Sequence, residues 1–307
     1  MPSKVIHSDP TSVKVNGIEL VYDTFGDPDA APIVLVHGLG AQMVSWDRDF
    51  CEALASLGYW IIRFDNRDIG KSSWLDDFGA PNIMEMIRAA SLSQSIEAPY
   101  TLWDMANDTI GLMDVLKIES AHLIGVSMGG MIVQSMAINH PDRLRTMTSI
   151  MSTTGNPDLP MPKAEAIEVL FRPVPTSLEE YIEANLATDD VLRGPRYPCD
   201  EERLRARSEL EYDRGLHPQG FGRQLAAILA SESRKELLMS ITVPTLIIHG
   251  DADPLVPLEA GVDTAEAIPG AKLLILEGVG HSLPVPVWPE VFNAIVEHTK
   301  TLAHDEK

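Results

Sequence analysis

The sequence predicts an α/β protein with a doubly wound, mostly parallel sheet and a helical insertion. Three observations support this prediction. Six short, continuous apolar runs indicate strands that are buried on both faces, as in a parallel sheet. Amphipathic helical patterns alternate with these runs, which is the order that builds such a sheet. Residues 155–238 interrupt the alternation with helical segments and no convincing strand.

The first element along the chain is a β-hairpin. Its two alternating runs, in VKVNGIELVYDTFG, are joined by Asn16-Gly17, a strong signal for a two-residue turn. The apolar strand runs that follow lie at residues 32–38, 58–65, 119–126, 144–154, 243–250 and 271–278. The helical patterns between and after them lie at residues 45–58, 101–118, 128–141 and 287–302.

The domain organisation follows from these elements. Residues 1–154 and 239–307 are predicted to form the core, and residues 155–238 a helical cap over the carboxyl ends of the strands, where open α/β sheets bind ligands. Residues 78–100 are a possible additional cap element. Their apolar residues at helical spacing are expected to serve ordinary packing: Ile83, Met84 and Ile87.

Composition excludes several classes of function. The chain has 307 residues and a formal net charge of -21, which argues against nucleic acid and anionic membranes as partners. Its cysteines, Cys51 and Cys199, match no metal-ligand or disulfide pattern. The first residues lack an apolar signal core, and no run of 18 apolar residues occurs. A cytoplasmic protein without a transmembrane segment is predicted.

Ser127 is the candidate nucleophile. It stands in Gly125-Val126-Ser127-Met128-Gly129, between a predicted strand and a predicted helix. Glycines at both flanks allow the sharp turn that exposes a serine hydroxyl at the top of a sheet. The helix that follows would favour negative charge developing beside the hydroxyl.

His281 is the best-placed candidate base. It follows the last predicted strand in GVGHSLP, and only a late histidine fits the chain order Ser, acid, His. The candidate acids follow the strand at residues 243–250. Asp253 is preferred because it lies past the strand end, before Pro254, whereas Asp251 is expected to cap the turn.

An oxyanion formed by attack of Ser127 would need N–H donors. The turn VHGLGAQ after the first buried strand is where one donor is expected, and the residue after the nucleophile supplies the other. We assign these donors to the backbone N–H groups of Leu39 and Met128. His37 is expected to brace the loop rather than act as a base.

These motifs together resemble α/β-hydrolase-fold serine hydrolases, since HGLG, DNRDIGKSS, GVSMGG, GDADPLVP and GVGH occur in family order over nearly the whole chain. The family's Gly-x-x-Asp-x-x-x-Pro pattern is matched by Gly250, Asp253 and Pro257, which supports Asp253 as the acid. The chain looks most like aclacinomycin-type methylesterases and related bacterial carboxylesterases. Asp68 departs from the family, in which many members have glycine.

The resemblance implies hydrolysis of small to medium, mostly uncharged carboxylic esters through an acyl-enzyme, with no metal or cofactor. The alternatives are a carbon–carbon bond hydrolase of ring-cleavage products, a cofactor-free perhydrolase and a non-catalytic binding protein. An anionic ring-cleavage product would need a cationic anchor, and the insertion offers Arg172, Arg193 and Arg196. Epoxide hydrolases and haloalkane dehalogenases are disfavoured, because they carry aspartate where Ser127 stands.

Overall fold

An eight-stranded sheet forms the centre of the computed structural model, which describes residues 5–92 and 94–300. Its strands are β1 (Thr11–Val15), β2 (Ile18–Phe25), β3 (Ala31–Val36), β4 (Tyr59–Phe64), β5 (Ala121–Val126), β6 (Leu144–Ile150), β7 (Thr245–Gly250) and β8 (Lys272–Leu276). They are ordered β1-β2-β4-β3-β5-β6-β7-β8. Strand β2 runs antiparallel to β1 and β4, and the other neighbours are parallel. The predicted fold class is confirmed.

Helices accompany the sheet along the chain. They are α1 (Arg48–Ser56), α2 (Ile83–Ser91), α3 (Leu102–Val115), α4 (Met128–Asn139), α5 (Ala164–Leu170), α6 (Leu178–Leu192), α7 (Glu201–Arg214), α8 (Pro218–Ala230), α9 (Lys235–Leu238), α10 (Leu258–Ala267) and α11 (Trp288–Lys300). No helix in the described part of the chain is both long and apolar enough to cross a membrane.

Each strand and helix predicted from the patterns above is present. The burial expected for the run at residues 271–278 is wrong, because β8 lies at the edge of the sheet and only Leu276 of its residues is buried. The hairpin turn has φ of 48° at Asn16 and 81° at Gly17, the positive values that a type I′ turn requires. Helix α3 begins with a capping box in which Asp104 and Thr101 satisfy each other's backbone N–H groups. Residues 301 and 302, which the last helical pattern included, lie outside the described residues.

Strand β3 shows why its run of apolar residues is continuous. Val34 and Val36 pack into a core cluster that includes residues of α3 and α4. Ile33 and Leu35 point to the opposite face and pack into a second cluster with residues of α1 and α11. Both faces of the strand are covered, so no polar face interrupts the sequence.

The order of the strands creates a crevice at one end of the sheet. From β3 the chain passes to β4 on one side and then returns to β5 on the other side of β3. The carboxyl ends of β3 and β5 therefore flank the point at which the winding reverses, where open α/β sheets bind their ligands. The loops that carry Leu39 and Ser127 begin there.

Residues 155–238, called the insertion below, connect β6 to β7 and form α5 to α9 with no strand. Helix α2 packs against α8 of the insertion. The packing expected for α2 is wrong in detail: Met84 is 74% exposed and Ile87 37% exposed, and Met86 is the buried residue. Helical spacing predicts which residues form the apolar face of α2. Which of these residues contact α8 depends on where the insertion lies, and the spacing does not give that position.

A buried ion pair fastens the insertion to the core. Arg223 of α8 is fully buried, and its guanidinium donates to both carboxylate oxygens of Asp68, at 2.9 and 2.8 Å. It also donates to Asp76 at 2.9 Å. Asp68 holds its backbone at φ of 69° while presenting this carboxylate. A glycine at this position would leave a buried cation without its main partner.

Replacing Arg223 by methionine is expected to destabilise the protein by about 3–5 kcal/mol, because the buried Asp68 carboxylate loses its partner. Urea denaturation of the two proteins measures the difference. The exposed pair of Arg196 with Glu277 offers a matched control. Arg196→Met should change the free energy of unfolding far less than Arg223→Met, because solvent screens that pair. Equal losses for the two variants would contradict the role of burial.

Candidate active site

Ser127 lies at the turn between β5 and α4. Its backbone has φ of 56° and ψ of -120°, a conformation that residues other than glycine seldom adopt. The turn is held because Ser127 N–H donates to Ile150 O at 2.9 Å, and Ser152 Oγ donates to Ser127 O at 2.7 Å. The strained turn predicted around the serine is therefore present.

The two flanking glycines are required by close backbone contacts. A Cβ on Gly125 would overlap the carbonyl of Gly129, and a Cβ on Gly129 would overlap the carbonyl of Val36. Helix α4 can begin directly after Ser127 only because these two positions carry no side chain. Met128, the first residue of α4, is fully buried.

The N–H groups assigned as oxyanion donors have no protein acceptor. Within the described residues, neither Leu39 N–H nor Met128 N–H donates a hydrogen bond. Met128 N–H belongs to the first turn of α4, where the helix itself leaves N–H groups unpaired. A Cβ built on Gly38 would lie 3.1 Å from Ser127 Cβ, so the loop before Leu39 lies against the serine.

Asp253 and His281 lie together after β7 and β8. His281 Nδ1 donates to Asp253 Oδ2 at 2.7 Å, and Asp253 Oδ1 accepts from the N–H groups of Leu255 and Val256, each at 2.8 Å. Asp251 instead accepts from Gly278 N–H at 2.6 Å, in the loop after β8 and not in its own turn as expected. Two backbone N–H groups thus fix one carboxylate oxygen of Asp253, and the other oxygen accepts from the imidazole of His281.

Ser127 and His281 are brought to the same end of the sheet. No hydrogen bond joins Ser127 Oγ to His281 among the described residues. Such contacts are often long in free hydrolases and tighten when substrate binds. Asp158, which follows β6 and would be a further candidate for the acid, is exposed, and its backbone N–H donates to Asn156 Oδ1 at 3.1 Å.

His37 precedes Gly38 in the loop that lies against Ser127, but it is a poor candidate for the base. Burial lowers its pKa to about 3, so its imidazole has little tendency to take up a proton near pH 7. Its Nδ1 accepts from Gly38 N–H at 2.7 Å, and its carbonyl accepts from Asn66 Nδ2 at 3.0 Å. These contacts brace the loop, as the sequence suggested.

Residues of the insertion also reach this site, and two of them, Leu192 and Gln224, were not singled out by the sequence patterns. Leu192 O accepts from His281 N–H at 2.6 Å, and Arg193 O accepts from Gly280 N–H at 2.8 Å. Gln224 Oε1 accepts from Gly40 N–H at 2.8 Å. A signal for Gln224 was present, because Arg223 and Gln224 are polar residues in the middle of an otherwise apolar helix.

The potential metal ligands of the described residues do not cluster into a binding site. Among residues 5–92 and 94–300, no group of three or more His, Cys, Asp or Glu side chains is arranged to hold a metal ion. Cys51 and Cys199 are free thiols. Burial raises the pKa of Cys51 to about 12, so this thiol stays protonated and unreactive.

Comparison with known protein families shows which family the chain belongs to. The model of the alpha/beta hydrolase fold family matches residues 31–285. The chain belongs to the α/β-hydrolase fold family. The match spans β3 to the segment after His281, and so includes the loops of Leu39, Ser127, Asp253 and His281.

This α/β-hydrolase has curated relatives over almost its whole length. It is 29% identical to rhodomycin D methylesterase from Streptomyces sp. (strain C5), covering 98% of this chain and 99% of the relative. It is 27% identical to a 2-hydroxy-6-oxononadienedioate/2-hydroxy-6-oxononatrienedioate hydrolase from Pseudomonas sp, covering 89% and 88%. The methylesterase agrees with the branch that the motifs indicated.

A solved structure supports the fold of this α/β-hydrolase. The 2-hydroxy-6-oxo-6-phenylhexa-2,4-dienoate hydrolase from Rhodococcus sp. strain RHA1 superposes with a TM-score of 0.71 at 21% identity. The match covers 97% of this chain and the whole of the other.

Proposed function

We propose that the protein is a serine carboxylesterase that cleaves small to medium, mostly uncharged esters. The observation that carries this proposal is the strained Ser127 at the start of α4, with unpaired N–H groups at Met128 and Leu39. A serine held in this way can attack a carbonyl carbon while two donors receive the oxygen. The similarity to rhodomycin D methylesterases supports ester cleavage.

In the proposed mechanism Ser127 Oγ attacks the ester carbonyl, and His281 takes the hydroxyl proton. The carbonyl oxygen becomes an oxyanion that accepts from Leu39 and Met128 N–H. Collapse of this intermediate expels the alcohol, which receives the proton from His281. Water then attacks the acyl-enzyme and loses a proton to His281. Collapse of this second intermediate breaks the bond to Ser127 Oγ, which takes that proton back from His281, and the carboxylic acid leaves. Asp253 keeps the imidazole in the required tautomer and stabilises its cation.

The ion pairs that three arginines make with carboxylates favour uncharged substrates over anionic ones. A carbon–carbon bond hydrolase acting on an anionic ring-cleavage product would need an available cation. The arginines considered for that task each pair with a carboxylate: Arg172 with Glu168 at 3.7 Å, Arg193 with Asp189 at 2.8 Å and Arg196 with Glu277 at 2.6 Å. A paired cation is a poor anchor, because binding the substrate would break the existing pair.

We further propose that the insertion is the cap of the site. It touches the loop of His281 through Leu192 and Arg193, and the loop of Leu39 through Gln224. A cap in contact with both loops would set the size of the acyl and alcohol groups.

A comparison of two substrates tests the proposal. We expect p-nitrophenyl butyrate to be hydrolysed with a kcat/KM at least about 100-fold above that for a vinylogous diketone acid, since cleavage of the latter needs a cationic anchor. A series of acyl chain lengths then measures the size of the pocket. A preference for the diketone acid would replace the esterase assignment with the carbon–carbon bond hydrolase.

A further inference from the structure

Gln224 joins the insertion to the loop that carries Leu39. Its side chain is fully buried on α8. Its Oε1 accepts from Gly40 N–H at 2.8 Å, and its Nε2 donates to Arg67 O at 2.8 Å. Only one orientation of the amide satisfies both bonds, because the first partner is a donor and the second an acceptor. Gln224 therefore links the loop after β3 to the loop after β4.

The loop after β3 is otherwise held near its two ends. Asn66 Nδ2 donates to His37 O at 3.0 Å, close to where β3 ends. Met43 N–H donates to the buried Asp65 carboxylate at 2.6 Å, where the loop enters the next helical turn. Between these points, among the described residues, the loop makes internal bonds from Gly38 N–H to His37 Nδ1 at 2.7 Å and from Ala41 N–H to Gly38 O at 3.3 Å. The Gln42 side chain donates to Glu211 O and Gly215 O of the insertion. The contact from Gln224 falls between these points, on the peptide that joins Leu39 to Gly40.

The Gly40 N–H and the Leu39 N–H belong to consecutive peptide planes that meet at Leu39 Cα. Gly40 has φ of 70°, so the chain turns sharply there. Leu39 N–H shares its peptide plane with Gly38 O, which accepts from Ala41 N–H at 3.3 Å, while Gln224 holds the next plane through Gly40 N–H. With both planes held, the rotations about Leu39 Cα that would turn its N–H are restricted, although this N–H has no acceptor among the described residues.

We propose that Gln224 is a positioning residue, which holds the Gly40 peptide so that Leu39 N–H is aimed at the oxyanion. This inference rests on the proposed esterase function. Gln224 itself does not touch the substrate. The insertion thus contributes to stabilising the transition state as well as covering the site.

A leucine at position 224 keeps the volume and removes the acceptor. We expect Gln224→Leu to lower kcat for p-nitrophenyl butyrate about 10- to 100-fold, since a donor displaced by about 1 Å stabilises the oxyanion poorly. KM should change less than about threefold, because the oxyanion forms only after substrate binds. A trifluoromethyl ketone, which adds to Ser127 and places an oxyanion in the same position, should bind more weakly by a similar factor.

Gln224→Glu provides a second readout. A carboxylate accepts from Gly40 N–H but repels Arg67 O, whereas a protonated carboxyl can accept from one and donate to the other. The ratio of its kcat to that of the wild type should therefore rise as the pH falls from 8 to 5. A purely structural role gives no such pH-dependent recovery.

Ser231 supplies the matched control. It lies at the other end of α8 and accepts from Leu102 N–H of the core at 3.4 Å, far along the helix from Gly40. Ser231→Ala should leave kcat and ketone affinity unchanged. Wild-type kcat and ketone affinity in Gln224→Leu, or equal losses in both variants, would overturn the positioning role. Absence of esterase activity in the wild type would instead contradict the proposed function, and this inference with it.

Discussion

Replacing Ser127 by alanine is expected to lower kcat for p-nitrophenyl butyrate by about six orders of magnitude, the loss typical of removing a serine nucleophile. The variant keeps its N–H donors and binding surface, so a small residual rate above the uncatalysed reaction should remain. No acyl-enzyme can form, because alanine has no hydroxyl. A fluorophosphonate probe, which reacts with an activated serine, should label the wild type at residue 127 and leave the variant unlabelled.

A control on the same helix separates this chemical effect from local repacking. Ser135 is fully buried on α4, and its hydroxyl donates only to Met131 O within that helix. Ser135→Ala should retain activity within a few-fold and still be labelled. Hydrolysis by Ser127→Ala at the wild-type rate would exclude Ser127 as the nucleophile. An unlabelled, inactive wild type would favour the binding-protein alternative.

Asp253→Asn is expected to lower kcat about 10⁴-fold, because the imidazole would be held in the wrong tautomer. The structure indicates why asparagine would be held in the harmful orientation. Oδ1 of Asp253 accepts from the N–H groups of Leu255 and Val256, so the amide oxygen of asparagine must occupy that position. Its NH₂ group then faces His281 Nδ1, which must accept, and the ring proton moves to Nε2. An imidazole protonated at Nε2 cannot take the proton of Ser127.

Asp251→Asn is the matched control for this prediction. Asp251 accepts a single backbone N–H, from Gly278, and an amide oxygen can do the same. Steady-state kcat for this variant should lie within a few-fold of the wild type. A larger loss in Asp251→Asn than in Asp253→Asn would reverse the choice of acid.

Local patterns were sufficient for the sheet and for the placement of the candidate site. Strands such as β3 are covered on both faces, so burial leaves a continuous apolar run that is visible in the sequence. The loops that follow parallel strands emerge at one edge, so motifs far apart in sequence can be expected to lie together. The contact between Asp253 and His281 was expected on this basis and is present.

Contacts made by the insertion could not be predicted in the same way. Gln224 and Gly40 are 184 residues apart, and Arg223 and Asp68 are 155 residues apart. Helical periodicity gives the apolar face of α8, but the core residue that each polar side chain meets depends on how the whole insertion packs. The expectation for Met84 and Ile87 was wrong for the same reason, because helical spacing in α2 does not show where the insertion packs. The roles of Ser127, Asp253, His281, Leu39 and Met128 stay predictions that the variants above can test.

Hydrogen bonds between the insertion and the loops have a consequence for protein engineering. Exchanging residues 155–238 for the corresponding segment of another family member is an obvious route to new substrates. Such a chimera would keep acceptors for Gly40 N–H, Gly280 N–H and His281 N–H only if the new segment placed an acceptor where Gln224 Oε1 lies and main-chain carbonyls where Arg193 O and Leu192 O lie. Otherwise these donors would be left unsatisfied beside the reacting groups. The exchangeable module is therefore the insertion together with the two loops that it touches.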